Sequence, residues 1–146
     1  MKNRSPILMG ALAILVGSAM LVSAVALSNV LVYTNEVQGI TISSSWASGP
    51  KTVGQEYAFS VDYVSPAGTS SAVVTFEFGR AGIVPANVTL QYWTGTTWLN
   101  TTFVQSGPDA IVGSTMMIAA GPTSGGYSHK LTYNAVGTYT MKVWAG

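Results

Sequence analysis

The chain is dominated by short runs in which apolar and polar residues alternate, and this pattern decides the fold class. In the clearest run, Tyr57, Phe59, Val61 and Tyr63 alternate with Ala58, Ser60, Asp62 and Val64. A period of two puts the two sets on opposite faces of a pleated strand, one buried and one largely polar. Comparable runs cover residues 39–46, 72–78, 87–93, 97–104, 110–119, 127–133 and 138–144. Turn chemistry separates them, at Ser48-Gly49-Pro50, Ser65-Pro66-Ala67-Gly68, Thr94-Gly95-Thr96, Gln105-Ser106-Gly107-Pro108 and residues 121–126. About eight strands at this spacing, with no helical period after residue 28, predict an all-β sandwich.

Two local patterns refine that expectation. Residues 90–99 read as a hairpin whose tip is Thr94 to Thr96, with Trp93 and Trp98 flanking the turn. Cross-strand packing is the commoner use of such a pair; the alternative is a platform on which a carbohydrate stacks. Near the C-terminus, Asn134 is followed by Gly137 and Tyr139 and then by an alternating strand. This resembles the tyrosine corner of immunoglobulin-like sandwiches. The resemblance implies an immunoglobulin-like or jelly-roll-like arrangement, with the Tyr139 ring in the core and its hydroxyl bonded to corner backbone.

Charge is scarce, at 8% of residues, and unevenly placed. Lys2 and Arg4 precede a stretch with no charged side chain until Glu36, and residues 7–27 are almost wholly apolar. A basic start before an apolar helix is the layout of an export signal, with small residues offering cleavage after Ala26 or Ser28. The run is about 20 residues, long enough to serve instead as a retained membrane anchor. The expected organisation is therefore a signal or anchor over residues 1–28, a short β segment over 29–38 and a sandwich over 39–146. After removal of the first 26 residues, four basic side chains (Lys51, Arg80, Lys130, Lys142) face five acidic ones, so the formal +1 becomes −1. No basic cluster remains to neutralise phosphates, which excludes an electrostatic nucleic-acid binder.

Catalytic chemistry is not visible. The single histidine, His129, lies in a strand pattern beside Lys130 and reads as a solvent-facing or edge residue. The carboxylates Glu36, Glu56, Asp62, Glu77 and Asp109 share no spacing, and without cysteine there is no thiolate nucleophile, disulfide or cysteine-bound zinc. No enzyme activity, metal or cofactor is expected. Two sequons, Asn87-Val88-Thr89 and Asn100-Thr101-Thr102, mark Asn87 and Asn100 as candidate N-glycan acceptors.

The strand carrying Tyr139, Met141, Val143 and Trp144 is followed at once by the end of the given sequence. Left as an edge it would template aggregation. The residues available to cover it are Asn29, Val30, Leu31, Val32, Tyr33 and Val37, from the same chain or from a neighbour. This layout resembles subunits of archaeal extracellular filaments assembled by donor-strand complementation, the bundling pili and threads, which are similar to bacterial biofilm-matrix fibre subunits. The resemblance implies an exported structural subunit at the cell surface, for adhesion or biofilm cohesion, whose partners are copies of itself. In it, residues 29–37 are the donor strand and residues 138–144 the acceptor edge. Two other organisations fit the same sequence: a type IV pilin-like subunit that keeps its apolar helix in a filament core, and a membrane-anchored immunoglobulin-like binding module.

Overall fold

The computed structural model describes residues 25–32, as backbone, and residues 39–146. Val25 to Leu27 of the expected apolar helix are strand, while its residues up to 24, together with Tyr33 and Val37, lie outside the described residues. Eleven strands are present among them: β1 (Val25–Val32), β2 (Thr41–Ser44), β3 (Gly49–Thr52), β4 (Glu56–Ser65), β5 (Ala72–Gly79), β6 (Val88–Trp93), β7 (Trp98–Asn100), β8 (Val104–Gln105), β9 (Ala110–Ile118), β10 (Thr123–Tyr133) and β11 (Gly137–Ala145). They form a six-stranded sheet in the order β3-β1-β11-β5-β9-β8 and a five-stranded sheet in the order β2-β4-β10-β6-β7. Every pairing is antiparallel except that of β1 with β11. The chain is thus all-β in two layers, and among the described residues no helix is long and apolar enough to cross a membrane.

Alternation builds the core as the sequence reading requires. Phe59 and Val61 of β4 and Leu131 and Tyr133 of β10 face Phe76 and Phe78 of β5 and Tyr139, Met141 and Val143 of β11, all of them buried. Rings meet across the layers edge to face, Phe59 against Phe76 at 6.2 Å and Phe78 against Tyr133 at 6.3 Å. This is the preferred geometry for aromatic quadrupoles. Four charged side chains form two cross-strand pairs outside the core, Lys130 with Glu56 at 3.5 Å and Lys142 with Glu77 at 3.4 Å.

Two expected turns are strands. Ser48-Gly49-Pro50 runs into β3, and residues 123–126 extend β10. Pro50 is tolerated because β3 is an edge strand, where the missing N–H faces no partner. The run 97–104 divides instead. β7 pairs with β6 in one sheet and β8 with β9 in the other, so the chain changes layer at residues 101–103 and buries Phe103 on the way.

His129 is the clearest departure. It is fully buried in β10, between β4 and β6, not solvent-facing or at an edge. Tyr127, His129, Leu131 and Tyr133 share the inward phase of β10, and the lone polar member follows its neighbours inside. Its ring stacks on Phe59 at 5.3 Å, while Nδ1 lies 3.0 Å from the Tyr127 carbonyl and Nε2 3.2 Å from the Thr115 hydroxyl. Both ring nitrogens are therefore satisfied in a neutral tautomer, and burial pushes the imidazole down to about 4.

A folded-state value below the unfolded 6.5 means that the stability tied to the neutral ring is complete above pH 6.5 and is lost as pH falls toward 4. We predict that denaturant titration at pH 5 gives about 2 kcal/mol less stability than at pH 7 from this group alone. His129→Gln should be less stable at pH 7 yet show a correspondingly shallower loss; an unchanged pH slope in that variant would contradict the account.

Candidate functional site

The site is β11 and what lies on each side of it. The chain leaves β10 in one sheet and enters β11 in the other through residues 134–136, and this corner is fastened by side chains. The Tyr139 hydroxyl donates to the Ala135 carbonyl at 2.8 Å, beneath a ring that packs 4.2 Å from Tyr133. Burial pushes this phenol up, opposed by the Arg80 guanidinium, so it stays a donor at neutral pH. Asn134 donates through Nδ2 to the Ala86 carbonyl and the Thr89 hydroxyl, and Arg80 donates through Nε to the Val136 carbonyl. Gly137 has φ +149, and a Cβ there would collide with Arg80, so glycine is required on both counts.

From that fixed start β11 runs between two partners. β5 pairs with it from Thr140↔Gly79 to Ala145↔Val74, and β1 pairs along the other side from Ala26↔Gly137 to Val32↔Val143. β1 in turn holds β3, through Val25↔Thr52, Ala26↔Lys51, Leu27↔Pro50 and Ser28↔Gly49. Within the sheet β3 has no other ladder partner. Side chains and backbone outside the ladder fix its far end: the Thr52 amide donates to the Tyr57 hydroxyl at 2.7 Å, the Gly54 amide donates to the Tyr133 carbonyl at 2.8 Å, and Lys51 lies over the Trp46 ring at 5.1 Å. β1 is therefore the strand through which β3 joins the sheet and by which the β11 edge is covered.

The outermost strands of the two sheets are short, although among the described residues β10 over residues 123–128 and β9 beyond Val112 are each open on one side. β3 has four residues including Pro50 and Lys51, β8 has two, β2 four and β7 three. Short edges carrying proline or lysine are poor templates for another chain. Removing β1 would expose a nine-residue strand instead.

The sequence-expected residues fall as follows. Asn29, Val30, Leu31 and Val32 lie in β1, against Thr140 to Val143. Tyr139, Met141 and Val143 point into the core and are fully buried, while Trp144 is half-buried on the opposite face. Ala26 and Ser28, the expected cleavage positions, are inside β1, and both belong to the part that pairs with β3. Asn87 is half-buried, its Oδ1 accepting from Arg80 Nη1 at 3.1 Å and from the Val84 amide at 2.9 Å. Asn100 is exposed on β7, its Oδ1 accepting from Gln91 Nε2 at 2.9 Å. Sequence reasoning missed β3, because Gly49-Pro50 reads as a turn, and it missed Arg80 as a corner fastener; Asn134 it placed in the corner pattern without the bonds it makes there. No group of three or more potential metal ligands occurs among the described residues.

No known protein family matches the sequence, and no curated protein does. Among solved structures the chain is similar to one described as "AvmM Catalyzes Macrocyclization in Alchivemycin A Biosynthesis". The likeness has a TM-score of 0.45 at 9% identity, over 77% of this chain and 88% of that one, and is too low to bear on activity.

The register makes the effect of the N-terminus testable. A chain beginning at Val25 keeps both ladders of β1, whereas one beginning at Asn29 keeps only the four β11 pairs from Asn29↔Thr140 to Val32↔Val143 and loses all four β3 pairs. Hydrogen exchange should therefore show the Gly49 and Lys51 amides losing protection in the shorter chain while the 140–143 amides keep theirs. Equal protection of β3 in both chains would contradict this assignment of its partner.

Proposed function

We propose that this chain is an exported structural subunit that polymerises by strand exchange, β1 of one copy taking the place beside β11 in the next. The observation that carries the reading is the double pairing of β1, which covers the long β11 edge and joins β3 to the sheet. Within one chain this arrangement is a closed monomer. Exchanged between copies it makes the same ladders, so the balance between the two forms rests on the connection and on concentration. Six residues, 33–38, separate Val32 from Gly39, a span of seven Cα steps that reaches at most about 25 Å. Because donor and acceptor surfaces differ, the contact is head-to-tail and need not close, which gives a filament rather than a dimer.

Other features support the same reading. The basic start and apolar run suit export, leaving the two-layer domain at the cell surface, where adhesion or biofilm cohesion is the role of such a filament. The corner at Tyr139 supports an immunoglobulin-like arrangement for the two sheets. With few charges to keep copies apart, the domain suits a surface that meets others of its kind, and glycans at Asn87 and Asn100 would add polar cover.

The test is deletion of residues 29–32 in the exported chain. Negative-stain images of cells making the intact protein should show filaments, and cells making the deletion should export the protein and show none. Filaments of normal length in the deletion, or an intact protein that stays monomeric at every concentration, would overturn the proposal.

A further inference from the structure

A second feature lies on the five-stranded sheet, away from β11. β10 pairs with β4 along Thr123 to Thr132, but with β6 only from His129 to Tyr133. Beyond Trp93, where β6 ends, the β6-side edge of residues 123–128 has no strand against it among the described residues. In that place is a cavity of about 230 Å³ lined by Trp93, Thr94, Gly95, Met116, Gly126, Tyr127 and Ser128. Pockets for drug-sized ligands occupy about 300–1,000 Å³, so this one suits a single ring.

Its chemistry is specific. No charged residue is in the lining, which combines one exposed indole with two hydroxyl side chains, a phenol and the backbone of two glycines. The Trp93 ring is held in place. It packs on Trp98 at 5.4 Å, Lys130 lies over Trp98 at 4.2 Å, and Glu56 holds Lys130 at 3.5 Å. Four strands thereby brace one aromatic face, at little further ordering cost when a ligand arrives. Tyr127 donates to the Met117 carbonyl at 2.9 Å, and burial, with the neighbouring Tyr63, pushes its phenol up to about 12, so its oxygen remains a neutral acceptor. A Cβ at Gly126 would meet the Asp62 carboxylate, so this lining position needs glycine.

We propose that this cavity is a saccharide-binding site for a neutral pyranose, its apolar face stacked on Trp93 and its hydroxyls bonded to Ser128 and the open β10 backbone, with the Thr94 hydroxyl holding the turn beneath through Thr97. A flat ring with apolar C–H faces and a polar rim matches an aromatic wall beside uncharged donors and acceptors. The site is independent of the β1 exchange, being built from β6, the turn that follows it, β9 and β10.

The test is affinity electrophoresis of the full-length chain in mild detergent, in native gels containing soluble mannan, xylan, mixed-linkage β-glucan or starch. The intact protein should be retarded in at least one of the four. Trp93→Ala should reduce that retardation at least tenfold, and so should Ser128→Phe, which fills the cavity while leaving the tryptophan stack in place. Val84→Ala, at an exposed position elsewhere, should leave it unchanged. Free migration in all four gels overturns the proposal, as does retardation that survives both cavity variants. Binding of a Val/Thr-rich hexapeptide, blocked by Ser128→Phe and unaccompanied by retardation in any gel, would overturn it by assigning the open edge to an extended peptide.

Discussion

Everything in this fold depends on β11 having a strand on both sides. It is the strand that the corner at Tyr139 delivers into the six-stranded sheet, and its inward side chains Tyr139, Met141 and Val143 are fully buried. Backbone N–H and C=O groups beside such a core must find partners. β5 supplies one row and β1 the other. The pairing with β1 is the one parallel ladder among the described residues, and it is made by a segment far from β11 in the chain. Local sequence does not tie such a segment to its own copy, because a neighbour's β1 satisfies the same groups.

The polar groups inside the core serve the same end. His129 and Tyr139 are buried yet satisfied, one bridging to Thr115 of the opposite sheet, the other tying the corner to Ala135. A buried polar group without its partner costs about 1–3 kcal/mol, so each bond penalises any other alignment of the two sheets.

The sequence was most legible where alternation is regular. β4, β5, β9 and β11 lie where period two puts them, and the Asn134-Gly137-Tyr139 spacing located a corner whose hydroxyl bond is present. It was least legible where one rule concealed another. Gly49-Pro50 has turn chemistry, but an edge strand needs no N–H on its open side. His129 was read by its polarity, although its phase with Tyr127 and Leu131 carried the better signal. Run 97–104 looked continuous because nothing in alternation marks a change of sheet. The β1 edge was anticipated from the exposed length of the last strand, but β3 was not, since its membership depends on a partner distant in sequence. The Trp93 cavity was visible only as a pair of tryptophans; the gap beyond the end of β6 is a property of unequal strand lengths and needs the register.

The central claim is that β1 pairs with β11 of another copy in the assembled protein. The chain has no cysteine, so a pair introduced at the facing positions Asn29 and Thr140 reports that contact alone. After oxidation of the double variant, a denaturing gel without reductant should show a ladder of covalent oligomers that collapses to monomer on reduction. A single covalent monomer band, with no ladder at any protein concentration, would mean that β1 stays with its own chain, and would contradict the account.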